Sequence, residues 1–207
     1  MSDPGDKKKR ATYQDVLDAP EHVVAEIIDG ELFTMPRPRS PHARVASRLG
    51  GLLVPPFDIG SNGPGGWILL DEPELHIVGE IVVPDLAGWH RERLPVIPDE
   101  AYFTLAPDWV CEILSKGTER IDRGKKMPIY ARAGVSHAWL LHPARRFLEV
   151  YQLQEGKWLQ LAVHLGDQPV RVPPFDAIEL DLSLLWADVE PPSRASESSA
   201  SYEYDEF

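Results

Sequence analysis

Two acidic residues lie inside otherwise apolar segments of the chain, and they restrict what it can fold into. Asp85 lies in the segment Ile-Val-Val-Pro-Asp-Leu at residues 81–86, and Glu112 lies in Trp-Val-Cys-Glu-Ile-Leu at residues 109–114. Both segments are short and rich in β-branched and aromatic residues, which predicts buried strands. A carboxylate removed from water is costly unless it is paired or binds a metal, so each acid needs a partner.

The first third of the chain carries clear local signals for helices and a hairpin. A capping box at Thr12 predicts a short helix that ends near residue 17. Asp29-Gly30 predicts a tight turn between strands at residues 23–28 and 31–35. Ser40-Pro41 predicts the start of an amphipathic helix, with Ser40 as the N-cap, and Pro55-Pro56 predicts its end.

The remainder alternates between strand patterns and one helix. The helical pattern covers residues 122–133, where Pro128 predicts either a kink or a helix start and Gly134 predicts the C-terminal end. Apolar runs and alternation predict an antiparallel meander near the C-terminus. The predicted strands are residues 67–70, 74–78, 81–86, 109–114, 137–141, 147–153 and 158–163. This order indicates a mixed α/β class with an α+β arrangement.

Length and charge set the outer limits of the domain. The 207 residues suit one domain over residues 12–190, with a disordered basic leader at 1–11 and a disordered acidic tail at 191–207. The net charge of −12 argues against sequence-blind adhesion to nucleic acid. Contact with DNA would therefore need local basic clusters and a bridging cation.

Cysteine content and hydropathy bear on the compartment. The single Cys111 excludes an internal disulfide and favours a reducing cytoplasm. No apolar run is long enough to cross a bilayer, so we expect no membrane partner.

The two acids and a lysine together predict a specific chemistry. Pro84 places Asp85 at a strand end or edge, and neighbouring strands lie ~4.8 Å apart, so Asp85 and Glu112 can converge. Mg²⁺ is commonly held by one or two carboxylates, with waters and substrate phosphate completing its shell. Lys126 on the following helix would stabilise charge on a phosphoryl group. The set predicts a magnesium-dependent phosphodiesterase, with Mn²⁺ able to substitute.

The helical positions next to Lys126 and the first turn of the earlier helix supply candidate substrate contacts. Tyr130 lies four residues after Lys126 on the same helical face, whereas Lys125 points ~100° away and suits a surface charge near substrate. His42 could contact phosphate at its helix N-terminus, or it could cap or pack that helix. The alternative is a purely structural role, in which the acids form ion pairs and the lysines form a solvated helix face.

The order of these residues resembles a known family. The Uma-type putative restriction endonuclease family, within the PD-(D/E)XK nuclease superfamily, is similar over roughly residues 12–186. The resemblance rests on short segments that keep their order along the chain. They are Glu26-Ile27-Ile28-Asp29-Gly30-Glu31-Leu32, Pro41-His42, Pro84-Asp85, Glu112-Ile113-Leu114-Ser115, Asp122, Lys126, Tyr130, Gly134-Val135 and Trp139-Leu140.

The resemblance implies a restriction-endonuclease-like core with flanking helices and a set of site residues. It implies that Asp85 and Glu112 are metal ligands, that the backbone carbonyl of Ile113 is a further ligand, and that Glu26 can complete the metal shell or form an ion pair. The superfamily's lysine normally lies two positions after the glutamate, where this chain has Leu114. The resemblance implies that Lys126 takes its place.

The interpretation is a metal-dependent DNA endonuclease, with DNA as partner and a homodimer as an expectation by analogy. The main alternative is a catalytically inactive nuclease-like module that binds nucleic acid or a protein, which the missing lysine and the acidic surface favour. A hydrolase of small phosphate esters is a further alternative that would need a deep pocket.

Overall fold

The structure is a computed structural model that describes residues 10–189. The expectations for the acidic tail, and for the basic leader up to residue 9, lie outside the described residues. The strands are β1 (Val23–Ile28), β2 (Glu31–Pro36), β3 (Trp67–Asp71), β4 (Leu75–Ile77), β5 (Glu80–Val82), β6 (Leu86–His90), β7 (Trp109–Ile113), β8 (His137–His142), β9 (Phe147–Gln154), β10 (Lys157–Leu165), β11 (Pro169–Val170) and β12 (Leu180–Asp181).

Within residues 10–189, five α-helices and two π-helical segments accompany these strands. The α-helices are α1 (Tyr13–Leu17), α2 (Ser40–Leu53), α3 (Glu119–Ile121), α4 (Met127–Ala133) and α5 (Ser183–Trp186). The π-helical segments are Val54–Ile59, which continues α2, and Asp122–Lys126, which joins α3 to α4. None of the helices within residues 10–189 is long and apolar enough to cross a membrane.

Two main sheets organise the fold. The larger has six strands in the order β10-β9-β8-β7-β6-β3, in which only β7 and β8 run parallel. The parallel pair requires a crossover, and α3, the second π-helical segment and α4 provide it. The smaller sheet has the order β2-β1-β5-β4 and is antiparallel throughout. The predicted hairpin around Asp29-Gly30 is its β1–β2 pair.

The six-stranded sheet is buried on both faces. Cys111 and Ile113 of β7 pack in one cluster with α2 and α5, whereas Val110 and Leu114 pack in a second cluster with α4. Because strand side chains alternate, Glu112 faces the second cluster. This side, between the large sheet, α4 and the small sheet, contains most of the candidate site.

Several predicted boundaries differ from the structure. The strand predicted for residues 81–86 is interrupted: β5 ends at Val82 and β6 begins at Leu86, because Pro84 has no N–H to donate to a ladder. The prolines do not end the helical path after α2, which winds on as a π-helix to Gly60, a left-handed residue with φ of 79°.

The predicted N-cap of α2 is displaced by one residue, since the cap is Arg39 and Ser40 is the first helical residue. The helix predicted from residue 122 begins earlier, at Glu119, so Asp122 lies inside the helical path.

Candidate functional site

The structure brings Asp85 and Glu112 together at one edge of the β6–β7 pair. Leu86 lies opposite Cys111 in this antiparallel pair, so Asp85, which precedes β6, adjoins Glu112. The backbone N–H of Ile113 donates to Oδ2 of Asp85 over 2.6 Å. The Asp85 carboxylate is thus fixed by the strand that carries Glu112, which is why the interruption before β6 does not separate the two acids.

Lys126 lies against both Glu112 and the small sheet. Its Nζ lies 2.9 Å from Oε1 of Glu112 and 3.1 Å from Oε1 of Glu26, and it donates to the carbonyl oxygen of Val83 over 2.9 Å. Only 3% of the side chain is exposed. The π-helical segment Asp122–Lys126 delivers this ammonium to the sheet, and such segments are frequent at functional sites.

Glu26 of β1 is fully buried beside Lys126. Its Oε1 also accepts a hydrogen bond from the Val83 N–H over 2.7 Å, and its Oε2 is buried without a hydrogen-bond partner among the described residues. Glu26 does not line the cavity that Asp85 and Glu112 face. This geometry suits a role for Glu26 as an ion-pair partner that positions Lys126 more than it suits a role as a metal ligand.

The structure places two of the candidate substrate contacts away from the cavity. Tyr130 is completely buried, and its hydroxyl donates a hydrogen bond to Oε1 of Glu112. Lys125 binds Asp29 over 2.7 Å and lies over the ring of Phe33. The helical periodicity correctly predicted that Tyr130 shares a face with Lys126 and that Lys125 points away from it. Which of these faces is buried depends on how α4 packs on β7.

His42 lies in the first turn of α2 and faces an acid. Its Nε2 is 3.2 Å from Oδ1 of Asp85, and both side chains are about 15% exposed. Burial lowers the pKa of His42, but the hydrogen bond and charge of Asp85 outweigh burial, together with the charge of Asp122. The net shift of the pKa is therefore upward. The structure thus places Nε2 of His42 against Asp85, and the predicted phosphate contact stays a prediction.

Asp122 is a site residue whose position the sequence did not reveal. It is buried, and its Oδ1 lies 4.0 Å from Nζ of Lys126. Burial raises the pKa of Asp122 to about 6, although Lys126 and a hydrogen bond with Thr118 oppose the rise. The spacing of four residues between Asp122 and Lys126 was the available signal, since such pairs share a helical face.

The buried charges form one coupled cluster. Burial raises the pKa of Glu112 well above its ordinary range, and Asp122 and Asp85 add to the rise while Lys126 opposes it. Burial would lower the pKa of Lys126, but Glu112 and Glu26 outweigh burial and hold it well above its ordinary value. Lys126 therefore keeps its proton, while the acids around it outnumber it.

A cavity of about 510 Å³ gives solvent access to this cluster. Asp85, Glu112 and Lys126 lie in its wall, together with His42, Val83 and Asp122. Arg37, Arg39 and Lys116 are exposed residues that also line it, and we call these three the basic rim. The cavity therefore combines an acidic wall with cationic side chains that are open to solvent.

The donor set fits a hard divalent cation. Within residues 10–189, no three His, Cys, Asp or Glu side chains are already arranged to hold a metal ion. Mg²⁺ does not require such a cage, because one or two carboxylates with waters suffice. A bound cation would also favour the ionised forms of the acids around Lys126, whose pKa values burial raises. Asp85 and Glu112 are the acids that would hold it, and the Ile113 carbonyl is adjacent.

Comparisons with known proteins bear on the family and the fold. The family model Uma2, described as a putative restriction endonuclease, matches residues 11–184. A crystal structure of a putative nuclease belonging to DUF820 from Anabaena variabilis is similar, with a TM-score of 0.66 and 23% sequence identity. The similarity covers 86% of this chain and 98% of that one. A comparison with curated proteins found no match.

The structural similarity confirms the predicted restriction-endonuclease-like fold. The family match supports the assignment of the chain as a nuclease. Since the family model spans most of its length, the chain belongs to the Uma2 family of putative restriction endonucleases.

Proposed function

We propose that this protein is a metal-dependent endonuclease that hydrolyses phosphodiester bonds in DNA. The observation that carries the proposal is the meeting of three side chains from separate elements in one cavity wall. Asp85 adjoins Glu112 across the β6–β7 pair, and Nζ of Lys126 lies 2.9 Å from Glu112. A strand acid pair with an ammonium beside it is suited to phosphoryl chemistry, because both the metal and the developing negative charge can be stabilised.

Asp85, Glu112 and the carbonyl of Ile113 are the proposed ligands of Mg²⁺, for which Mn²⁺ can substitute. When bound, the cation would polarise the scissile phosphate and lower the pKa of an attacking water. The lysine two positions after the glutamate is absent, and Lys126 supplies the cationic charge from α4's N-terminal side. Glu26 and the Val83 carbonyl hold that ammonium at the cavity wall.

The basic rim is the proposed DNA contact. Arg37, Arg39 and Lys116 are exposed at the cavity, whereas the chain as a whole carries a net charge of −12. Binding should therefore be local and weak, and it should fall as salt is raised, because each neutralised phosphate releases counterions.

The inactive module is the second candidate, and one observation favours it. The ammonium of Lys126 is directed to Glu26, Glu112 and the Val83 carbonyl, so its hydrogen-bonding capacity is used within the protein. A protein of this kind would bind nucleic acid or a protein partner without cutting DNA.

Cleavage of supercoiled plasmid separates the candidates. We expect nicking with Mg²⁺ or Mn²⁺, none with a chelator, and a loss of at least about 100-fold in Asp85→Asn, because a proposed metal ligand is lost. Asp71→Asn is the matched control, since Asp71 is an exposed acid opposite Leu86 on β3 and does not line the cavity. Equal cleavage by wild type and Asp85→Asn would overturn the site. Binding of DNA without cleavage by the wild type would support the inactive module.

Two further proposals concern the localisation and the oligomeric state of the protein. We place the protein in the cytoplasm, which suits a single buried Cys111. We also propose that two copies act together, because one site cuts one strand and double-strand cleavage needs two. Sedimentation of the protein with and without a DNA duplex would test the dimer, and a monomer under both conditions would contradict it.

A further inference from the structure

His42 has an environment that neither a structural role nor a phosphate contact explains well. Its Nε2 faces Oδ1 of Asp85, and Nδ1 is buried without a hydrogen-bond partner among the described residues. A histidine retained for hydrogen bonding would be expected to satisfy both ring nitrogens. A histidine that binds phosphate would not be directed at a carboxylate. A second acid, Asp122, is also close enough to raise the pKa of His42. The surroundings of Nε2 attract cations.

The position of Nε2 also fits a metal shell. Two neighbouring ligands of an octahedral cation with bonds of about 2.1 Å lie ~3 Å apart, by simple geometry from typical bond lengths. The observed distance from Nε2 of His42 to Oδ1 of Asp85 is 3.2 Å. His42, Asp85 and Glu112 also line the same cavity. The imidazole therefore adjoins the Asp85 carboxylate, whose other oxygen accepts a hydrogen bond from the Ile113 N–H.

We propose that His42 binds the divalent cation of this site through Nε2, next to Asp85, and that it makes the site select Mn²⁺ over Mg²⁺. The proposal rests on the proposed function, because it requires a cation at Asp85. An imidazole nitrogen is a softer donor than a carboxylate oxygen and suits first-row transition cations, whereas Mg²⁺ prefers an all-oxygen shell. Replacing one oxygen ligand by Nε2 therefore changes which metal binds best.

Direct metal binding by calorimetry, without DNA, is the first measurement. We expect the wild type to bind Mn²⁺ at least about 10-fold more tightly than Mg²⁺, since a nitrogen ligand favours the transition cation. His42→Asn, which offers an amide oxygen, should weaken Mn²⁺ binding by roughly 10- to 100-fold and change Mg²⁺ binding by less than about 3-fold, because only the nitrogen ligand is lost. Asp85→Asn should weaken both metals together.

Pulsed electron paramagnetic resonance of bound Mn²⁺ gives a readout that a structural role would not affect. The wild type should show modulation from a coordinated imidazole nitrogen, and His42→Asn should lose it while still binding Mn²⁺. His164→Gln is the matched control, because His164 lies on β10 and does not line the cavity, and it should keep the signal. Circular dichroism melting of each variant checks that it is folded.

The outcomes distinguish this proposal from the proposed function. Mn²⁺ binding that depends on Asp85 but shows no nitrogen modulation, or is equal in wild type and His42→Asn, overturns the role of His42 and leaves the nuclease proposal intact. Binding of neither metal by the wild type, or binding that Asp85→Asn does not weaken, overturns both. A loss of the Mn²⁺ preference confined to His42→Asn, together with a loss of the nitrogen signal, establishes the ligand.

Discussion

Nζ of Lys126 lies 2.9 Å from Oε1 of Glu112, and the same oxygen accepts the hydroxyl of Tyr130. The glutamate is therefore held by two side chains from the helical crossover that follows its own strand. This relationship gives the acid a fixed orientation toward the cavity, and it makes the site part of the buried core. Changes at the site should consequently affect stability as well as activity.

Lys126→Met should destabilise the protein by roughly 3–5 kcal/mol, because it leaves Glu26 and Glu112 buried without their cation. Lys125→Met is the matched control on the neighbouring residue, whose ion pair with Asp29 is exposed to solvent and should contribute little to stability. Urea unfolding of the two variants measures both free energies. Equal stability of the two variants would contradict the role of Lys126 in the cluster.

Tyr130→Phe should weaken the binding of Mg²⁺ and lower stability by about 1–3 kcal/mol. The reason is that loss of the hydroxyl leaves the buried Oε1 of Glu112 with one hydrogen-bond donor fewer. The hydrogen bond from Tyr130 lowers the pKa of Glu112, so its loss should raise that pKa further and disfavour the ionised, metal-binding form. Tyr151→Phe is the control, because its hydroxyl donates to Glu149, away from the cavity. Calorimetric titration with Mg²⁺ at fixed pH compares the variants, and equal affinities would exclude this role.

Protonation of His142 should destabilise the fold as the solution is acidified. Burial lowers the pKa of His142 below its ordinary value of 6.5, with the charge of Arg145 acting in the same direction. The Arg145 N–H donates to Nδ1 over 3.2 Å, so protonation of this nitrogen breaks the bond. As pH falls, His142 is therefore protonated in the unfolded chain before it is protonated in the folded protein. The free energy of unfolding keeps its full value above about pH 7 and decreases as pH drops through 6.5 toward the lower pKa of the folded state.

His142→Gln should remove that part of the pH dependence. The free energy of unfolding of wild type and variant, measured from pH 8 to pH 5.5, should converge as pH falls. A constant difference across this range would contradict the assignment. Comparing the difference between the two proteins cancels the opposite contribution of His42, whose folded pKa is raised.

Cys111 should be inert toward thiol reagents in the folded protein. It is completely buried, and burial raises its pKa well above its ordinary value, with the charges of Asp85 and Glu112 adding to the rise. Thiol reactions require the thiolate, so a disulfide reagent should react only as the protein unfolds. A colorimetric assay across a urea gradient measures this, and prompt reaction in buffer would show that β7 opens locally.

The sequence by itself determined the local elements. The capping box at Thr12, the turn at Asp29-Gly30 and the alternation that places Glu112 and Leu114 on one face of β7 all follow from neighbouring residues. The resemblance to Uma-type proteins was confirmed as membership of the family. These features are predictable because capping, turn geometry and strand pleating act over only a few residues.

Only the tertiary structure decided how distant side chains meet. Local patterns did not predict that Tyr130 would be buried against Glu112, that Lys125 would turn to Asp29, or that His42 would face Asp85. These contacts depend on where α2 and α4 pack on the six-stranded sheet. The physical reason is that a helix specifies which of its residues share a face, whereas the shape and burial of the surface beneath it specify what that face contacts.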